Sequence, residues 1–117
     1  MEHPGIAAAL ARAPSRDKAL LVALLLCALA TLVVGVVAGS LVALTRGGAI
    51  APAPENGYRL LTSHGVSAFF FWLYFAQAAL LLGIAMTHGR ERPRLALGPL
   101  AWIGGAAMLA GFLATQA

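Results

Sequence analysis

Among the polar residues of this chain, His64 is the one whose type and position could support cofactor chemistry. It follows Tyr58, a plausible interfacial anchor, by six residues and lies within a long uncharged stretch. At about 1.5 Å of rise per helical residue it would sit about 9 Å below the outer edge of a span. An ionisable side chain inside a spanning segment is costly and points to function by default. On a helix its face carries Leu60 and Leu61 behind, and Ser67, Ala68 and Phe71 ahead. Ala68 would leave space beside the imidazole for a flat ring, and Phe71 would line it. These are properties of an axial haem ligand whose second ring nitrogen is held by a backbone or side-chain acceptor. An interfacial histidine that only hydrogen-bonds a neighbouring helix or water has the same spacing, so spacing alone leaves both readings open. His3 lies in the N-terminal segment and His88 beside a basic loop, where an imidazole is readily solvated. Cys27 is the single cysteine, which leaves no intrachain disulfide and no Cys-x-x-Cys motif.

The elements that must position His64 follow from the charges and prolines. Three uncharged runs of 23 to 27 residues stand between them, about 19–44, 60–86 and 95–117. Each can cross a bilayer with some tilt, since a crossing takes roughly 20 apolar residues. A membrane barrel would need alternating segments of about ten residues, whereas these runs are continuous and rich in Leu, Ala and Phe. The expected fold class is therefore all-α: an integral membrane protein of three transmembrane helices. The loop at 87–94 is short enough to make helices 2 and 3 an antiparallel hairpin, with Gly89 as a C-cap and Pro93 as a stop. The loop at 45–59, rich in Gly and Pro, is expected to be irregular. Residues 1–18 read as an N-terminal cytoplasmic tail, frayed or interfacial, and 19–117 as the membrane domain. The first run is too long for the core of a cleaved signal peptide, which spans about 7 to 15 residues.

Composition agrees. Of 117 residues, 61% are apolar and 10% charged, against about a quarter charged in soluble domains, so a conventional soluble enzyme is excluded. Lys and Arg number six around the N-terminal segment and the 87–94 loop, against two, Arg46 and Arg59, in the 45–59 loop. The positive-inside rule then places the N-terminus in the cytoplasm and the C-terminus outside. The basic balance needs no nucleic acid; it is topology charge with an attraction to anionic headgroups of the lipid bilayer.

Small residues mark two helices. Gly35-Val-Val-Ala-Gly39 is a Gly-x-x-x-Gly pattern, and the third run carries Ala101, Gly104, Gly105, Ala107 and Gly111. Such stripes let helices approach closely, and packing inside one bundle is the simpler reading than a dedicated dimer motif. Three helices with these stripes bury little interior, so partners are expected. Helix 2 holds Phe69, Phe70, Phe71, Trp72, Tyr74 and Phe75, six of the nine aromatics.

The segment Tyr58-Arg-Leu-Leu-Thr-Ser-His-Gly-Val66, with the aromatic run behind it, resembles the start of the second helix of subunit I of the haem-copper (cytochrome c) oxidases. Phe75-Ala-Gln-Ala78 and the Gly-rich end of the first helix are similar to the branch called the B type. The resemblance implies helices 1–3 of that subunit, with His64 as one axial ligand of a low-spin haem of b or a type, and Ala68 and Phe71 shaping its pocket. It also implies a bacterial-type inner membrane and respiratory electron transport, from cytochrome c or quinol towards oxygen reduction coupled to proton translocation. The remaining helices or subunits of the oxidase complex would supply the second axial ligand. The copper histidines and cross-linked tyrosine of the family have no counterparts in this sequence, so the chain is expected not to be catalytic by itself. A methionine that many members carry shortly after His-Gly is replaced by Ser67 and Ala68. Two alternatives stand beside this: a non-enzymatic accessory or assembly subunit, and a homodimeric haem b module reacting with quinone.

Overall fold

The computed structural model describes residues 5–87, 95 and 98–116. All regular structure among them is helical: α1 (Ile6–Arg12), α2 (Ser15–Arg46), α3 (Pro54–Gly65), a π-helical segment (Val66–Phe71), α4 (Trp72–Thr87) and α5 (Gly98–Gln116). Three helical stretches are long and apolar enough to cross a membrane: Ser15–Arg46, the continuous run Pro54–Thr87, and Gly98–Gln116.

The first two helical stretches outrun their apolar runs at both ends. Within 5–18, Ile6–Arg12 is a helix, Ala13 is buried in the core, and α2 already begins at Ser15. Pro14 stands at the N-cap of α2, where its missing N–H costs nothing, and Asp17 in the first turn suits the positive end of the helix. The 45–59 loop is likewise shorter and more ordered than its composition implies. Pro54 occupies the first turn of α3, the position for which its fixed φ is preorganised, so Pro54–Arg59 is helical. The third helix starts at Gly98, three residues later than the apolar run. Gly89, Pro93 and the basic residues of the 87–94 loop lie outside the described residues, as do His3 and His88.

α2 closes on Gly47 and Gly48. The Ala49 N–H returns to the Leu44 carbonyl at 3.0 Å, and this reversal requires the positive φ of 75° at Gly48. The core lies between α2 and α4. Leu20, Leu24 and Ala28 present a three-to-four-residue stripe, and Phe75, Ala79, Leu82 and Met86 answer with the same spacing. Phe75 is fully enclosed. α5 is more lightly held, with Gly98 and Phe112 as its buried residues. Its N-terminal end lies by Asp17, whose carboxylate accepts the Leu95 N–H at 3.1 Å, and its other end lies by Ser63, whose hydroxyl donates to Gln116 Oε1 at 2.6 Å.

Hydroxyls that could be mistaken for a polar site are satisfied within their own helices. Thr31, Ser40, Thr45, Thr87 and Thr115 donate to carbonyls three or four residues earlier. Broad apolar surface remains outside, including Leu25, Leu26, Val36, Leu80, Leu81 and Ile103. That is the distribution expected where the surroundings are as apolar as the surface.

Candidate haem-ligand site at His64

The site is built where the glycine pattern of α2 meets the end of α3. Gly35 and Gly39 are one turn apart and face His64 and Ala68, also one turn apart. Each step of four forward on α2 corresponds to four back on the facing helix, so the contact is antiparallel. A Cβ at Gly39 would lie 2.7 Å from both His64 Cε1 and Nδ1, and one at Gly35 would lie 2.8 Å from the Ala68 backbone nitrogen and Cβ. No real Cβ is accommodated at those distances. The Gly-x-x-x-Gly pattern is thus used inside the chain, as a seat for the imidazole and for the backbone one turn further on.

His64 is half-buried, and its Nδ1 lies 2.7 Å from the Gly35 carbonyl oxygen. A carbonyl only accepts, so in this bond Nδ1 carries the proton. The neutral imidazole is then the Nδ1–H tautomer, whose Nε2 lone pair is free. Nε2 has no hydrogen-bond partner among the described residues. A backbone acceptor on one ring nitrogen with the other open is the arrangement that orients a metal-binding histidine.

The neighbours of the imidazole differ from the arrangement drawn for a continuous α-helix. Ala68 does not leave an open space beside His64, because the α2 backbone at Gly35 fills that flank. Phe71 turns towards α5. It packs edge-on against Phe112 at 5.3 Å between centroids, beside Gly111, where an added Cβ would meet its ring at 3.8 Å. The aromatic next to His64 is Phe69, edge to face at 6.3 Å and 68% exposed. The cause is the π-helical segment, which opens two residues after His64. Its i→i+5 turn brings the fifth residue on over a given position, where an α-helix would bring the fourth.

Ser67, within the π-helical segment, is fully buried, and its Oγ has no hydrogen-bond partner among the described residues. Gln77 and Thr62 are exposed. Among the described residues no three His, Cys, Asp or Glu side chains gather into a metal-binding group. What this part of the chain offers a metal is one imidazole nitrogen.

The sequence contained the Gly-x-x-x-Gly pattern and the histidine, but nothing in it paired them. The pairing depends on the register of α2 against α3. Comparisons of the chain with protein-family models, with curated proteins and with solved structures find no match.

Proposed function

We propose that this chain is a haem-binding membrane subunit, or part of one, of a respiratory haem-copper terminal oxidase, with His64 as an axial ligand of the low-spin haem. The observation that carries the reading is His64 Nδ1 held at 2.7 Å by the Gly35 carbonyl, with Nε2 left unpartnered among the described residues. The residues present fit such a group. Gly39, lacking a Cβ, lets the ring lie against α2, and Phe69 stands edge-on beside it. Ala68 contributes by letting α2 approach, and Phe71 by filling the space towards Phe112. The tautomer fixed by Gly35 keeps the basic nitrogen directed away from that carbonyl without a change in protonation. When bound, a low-spin haem supplies one-electron transfer between a donor and the oxygen-reducing centre.

The three apolar helices are proposed to span a bacterial-type inner membrane. The N-terminus and the 87–94 loop would be cytoplasmic, with the second and third spans forming an antiparallel hairpin. The second axial ligand and the copper-binding residues would come from further helices or subunits of the complex, and electrons from cytochrome c or quinol. The packing of Gly35 and Gly39 on α3 and the π-helical segment favours this over the homodimeric quinone-reactive module, because the small-residue pattern is already occupied within the chain.

The test is the reduced-minus-oxidised spectrum of the chain purified with its co-expressed neighbouring subunits, wild type against His64→Ala. Loss of the low-spin band in the variant alone is the expected result. If both chains retain it, or neither shows it, His64 is not the ligand and the accessory-subunit reading takes its place.

A further inference from the structure

Two clefts meet at the end of the bundle where α2 stops and α3 starts, and Tyr58 lines both. The larger, about 540 Å³, opens between α3 and the end of α5. Its walls include Asn56, Tyr58, Arg59, Thr62, Ser63 and Gln116, and apart from Leu60 every lining side chain carries an N–H or O–H donor. Among the described residues no Asp or Glu lines it. The Ser63 hydroxyl is engaged by Gln116, so Asn56, Tyr58, Arg59 and Thr62 are the donors left for a ligand. The smaller groove, about 250 Å³, is walled by apolar surface from Val42, Pro54 and Leu61, with Arg46 at its edge.

We propose that this end of the protein binds an anionic phospholipid, its phosphate headgroup in the donor-lined cleft and the start of its acyl chain along the apolar groove. Charge complementarity selects the headgroup. Arg46 and Arg59 flank Tyr58, and Glu55, the one acidic residue of the 45–59 segment, lines neither cleft. The adjoining apolar groove selects a lipid over a free anion, because inorganic phosphate has nothing to place there. Position agrees: the apolar run of α2 ends at Arg46, and that of the second span begins after Arg59, so both clefts lie level with the edge of the apolar band. Tyr58, 73% exposed, is amphipathic in the manner of side chains at a headgroup boundary. The site rests on the membrane-spanning reading and is independent of what His64 holds.

The experiment reconstitutes the full chain in nanodiscs of equal parts phosphatidylcholine and phosphatidylglycerol. The chain is then transferred to mild detergent, and the retained lipids are measured by native mass spectrometry. Phosphatidylglycerol should be retained above its share of the bilayer. Arg59→Gln and Arg46→Gln should each reduce it about fivefold, and Arg59→Lys should largely keep it. Excess inorganic phosphate should not displace it. Retention of the two lipids in their bilayer ratio, or equal retention by wild type and Arg59→Gln, overturns the proposal; so does displacement by phosphate, which would make this a free-anion site. Arg59 is exposed and circular dichroism on the same samples reports helicity, so a folding defect is separated from a binding one. The haem band is read independently, so failure here and failure at His64 are distinguishable.

Discussion

The imidazole of His64 and the backbone of Gly39 are in direct contact, with no room for a single methyl group between them: a Cβ at Gly39 would stand 2.7 Å from two ring atoms. The ring is therefore placed by α2 as much as by its own helix. The Gly35 carbonyl, one turn back, fixes its rotation through Nδ1. A histidine held on two sides by another helix is preorganised, and substitutions on α2 should act on the site without touching the ligand.

Gly39→Ala is the sharpest such substitution. The clash falls on a side chain, so the ring can swing aside, breaking the Gly35 bond and leaving the fold with a cost of about 1–3 kcal/mol for overpacking. Under the proposed haem ligation, the low-spin band should be lost or shifted while helicity stays near wild type. Gly35→Ala meets backbone, the Ala68 nitrogen and Cα, and should destabilise the helix pair itself, seen as earlier unfolding in detergent titration. Gly57→Ala, where a Cβ meets nothing within 4 Å, is the control: it should leave the band in place and, as a glycine-to-alanine change inside α3, should not lower stability.

Ser67→Ala separates structural need from function. A hydroxyl with 0% exposure and no partner among the described residues carries an uncompensated desolvation cost of about 1–3 kcal/mol. Its removal should leave stability unchanged or raise it. A drop in stability by thermal or detergent unfolding would mean that Ser67 bonds a group supplied by the surrounding assembly.

How much of this was legible in the sequence depends on the range of the interaction. The apolar runs, the three long helices and the candidate histidine are local or compositional, and they could be read directly. The ends of the helices could not, because Pro14, Asp17 and Pro54 act as helix starters within stretches that charge and proline count would assign to tail and loop. The partner of His64 was hidden for another reason. A glycine carbonyl has no side-chain signature, and its role appears only once α2 is set against α3. The π-helical segment had no sequence mark either, and it is what exchanges Phe71 for Phe69 beside the imidazole.

Asp17 should prove structurally important although it lies outside the apolar run. Its carboxylate is 6% exposed, accepts the Leu95 N–H at 3.1 Å and lies near Gly98 at the start of α5. A charged acceptor at that helix start combines a hydrogen bond with a favourable dipole contact. Asp17→Ala should cost about 1.5–3 kcal/mol, and hydrogen exchange should rise first in α5, the least buried of the three long apolar helices. Asp17→Asn keeps an acceptor and should recover part of the loss. Uniform exchange across all helices would show that the contact does not hold α5.

Deleting Val66 tests the π-helical segment itself. A π turn inside an α-helix is equivalent to one inserted residue, so removing the first residue of Val66–Phe71 should let Pro54–Thr87 run as continuous α-helix. The extra residue is taken up within the π turn, so its removal leaves α3 and α4 in their mutual orientation, with α4 held by Phe75, Ala79 and Met86 in the core and His64 at the Gly35 carbonyl. Overall helicity, the α2–α4 core and, under the proposed haem ligation, the low-spin band should persist. Inserting an alanine after Gly65 should do the opposite: an extra residue that no further turn absorbs rotates α3 by about 100° against α4, His64 leaves the Gly35 carbonyl, and the band should disappear. A band of unchanged position and intensity in the insertion variant would mean that the imidazole is oriented by something other than this register.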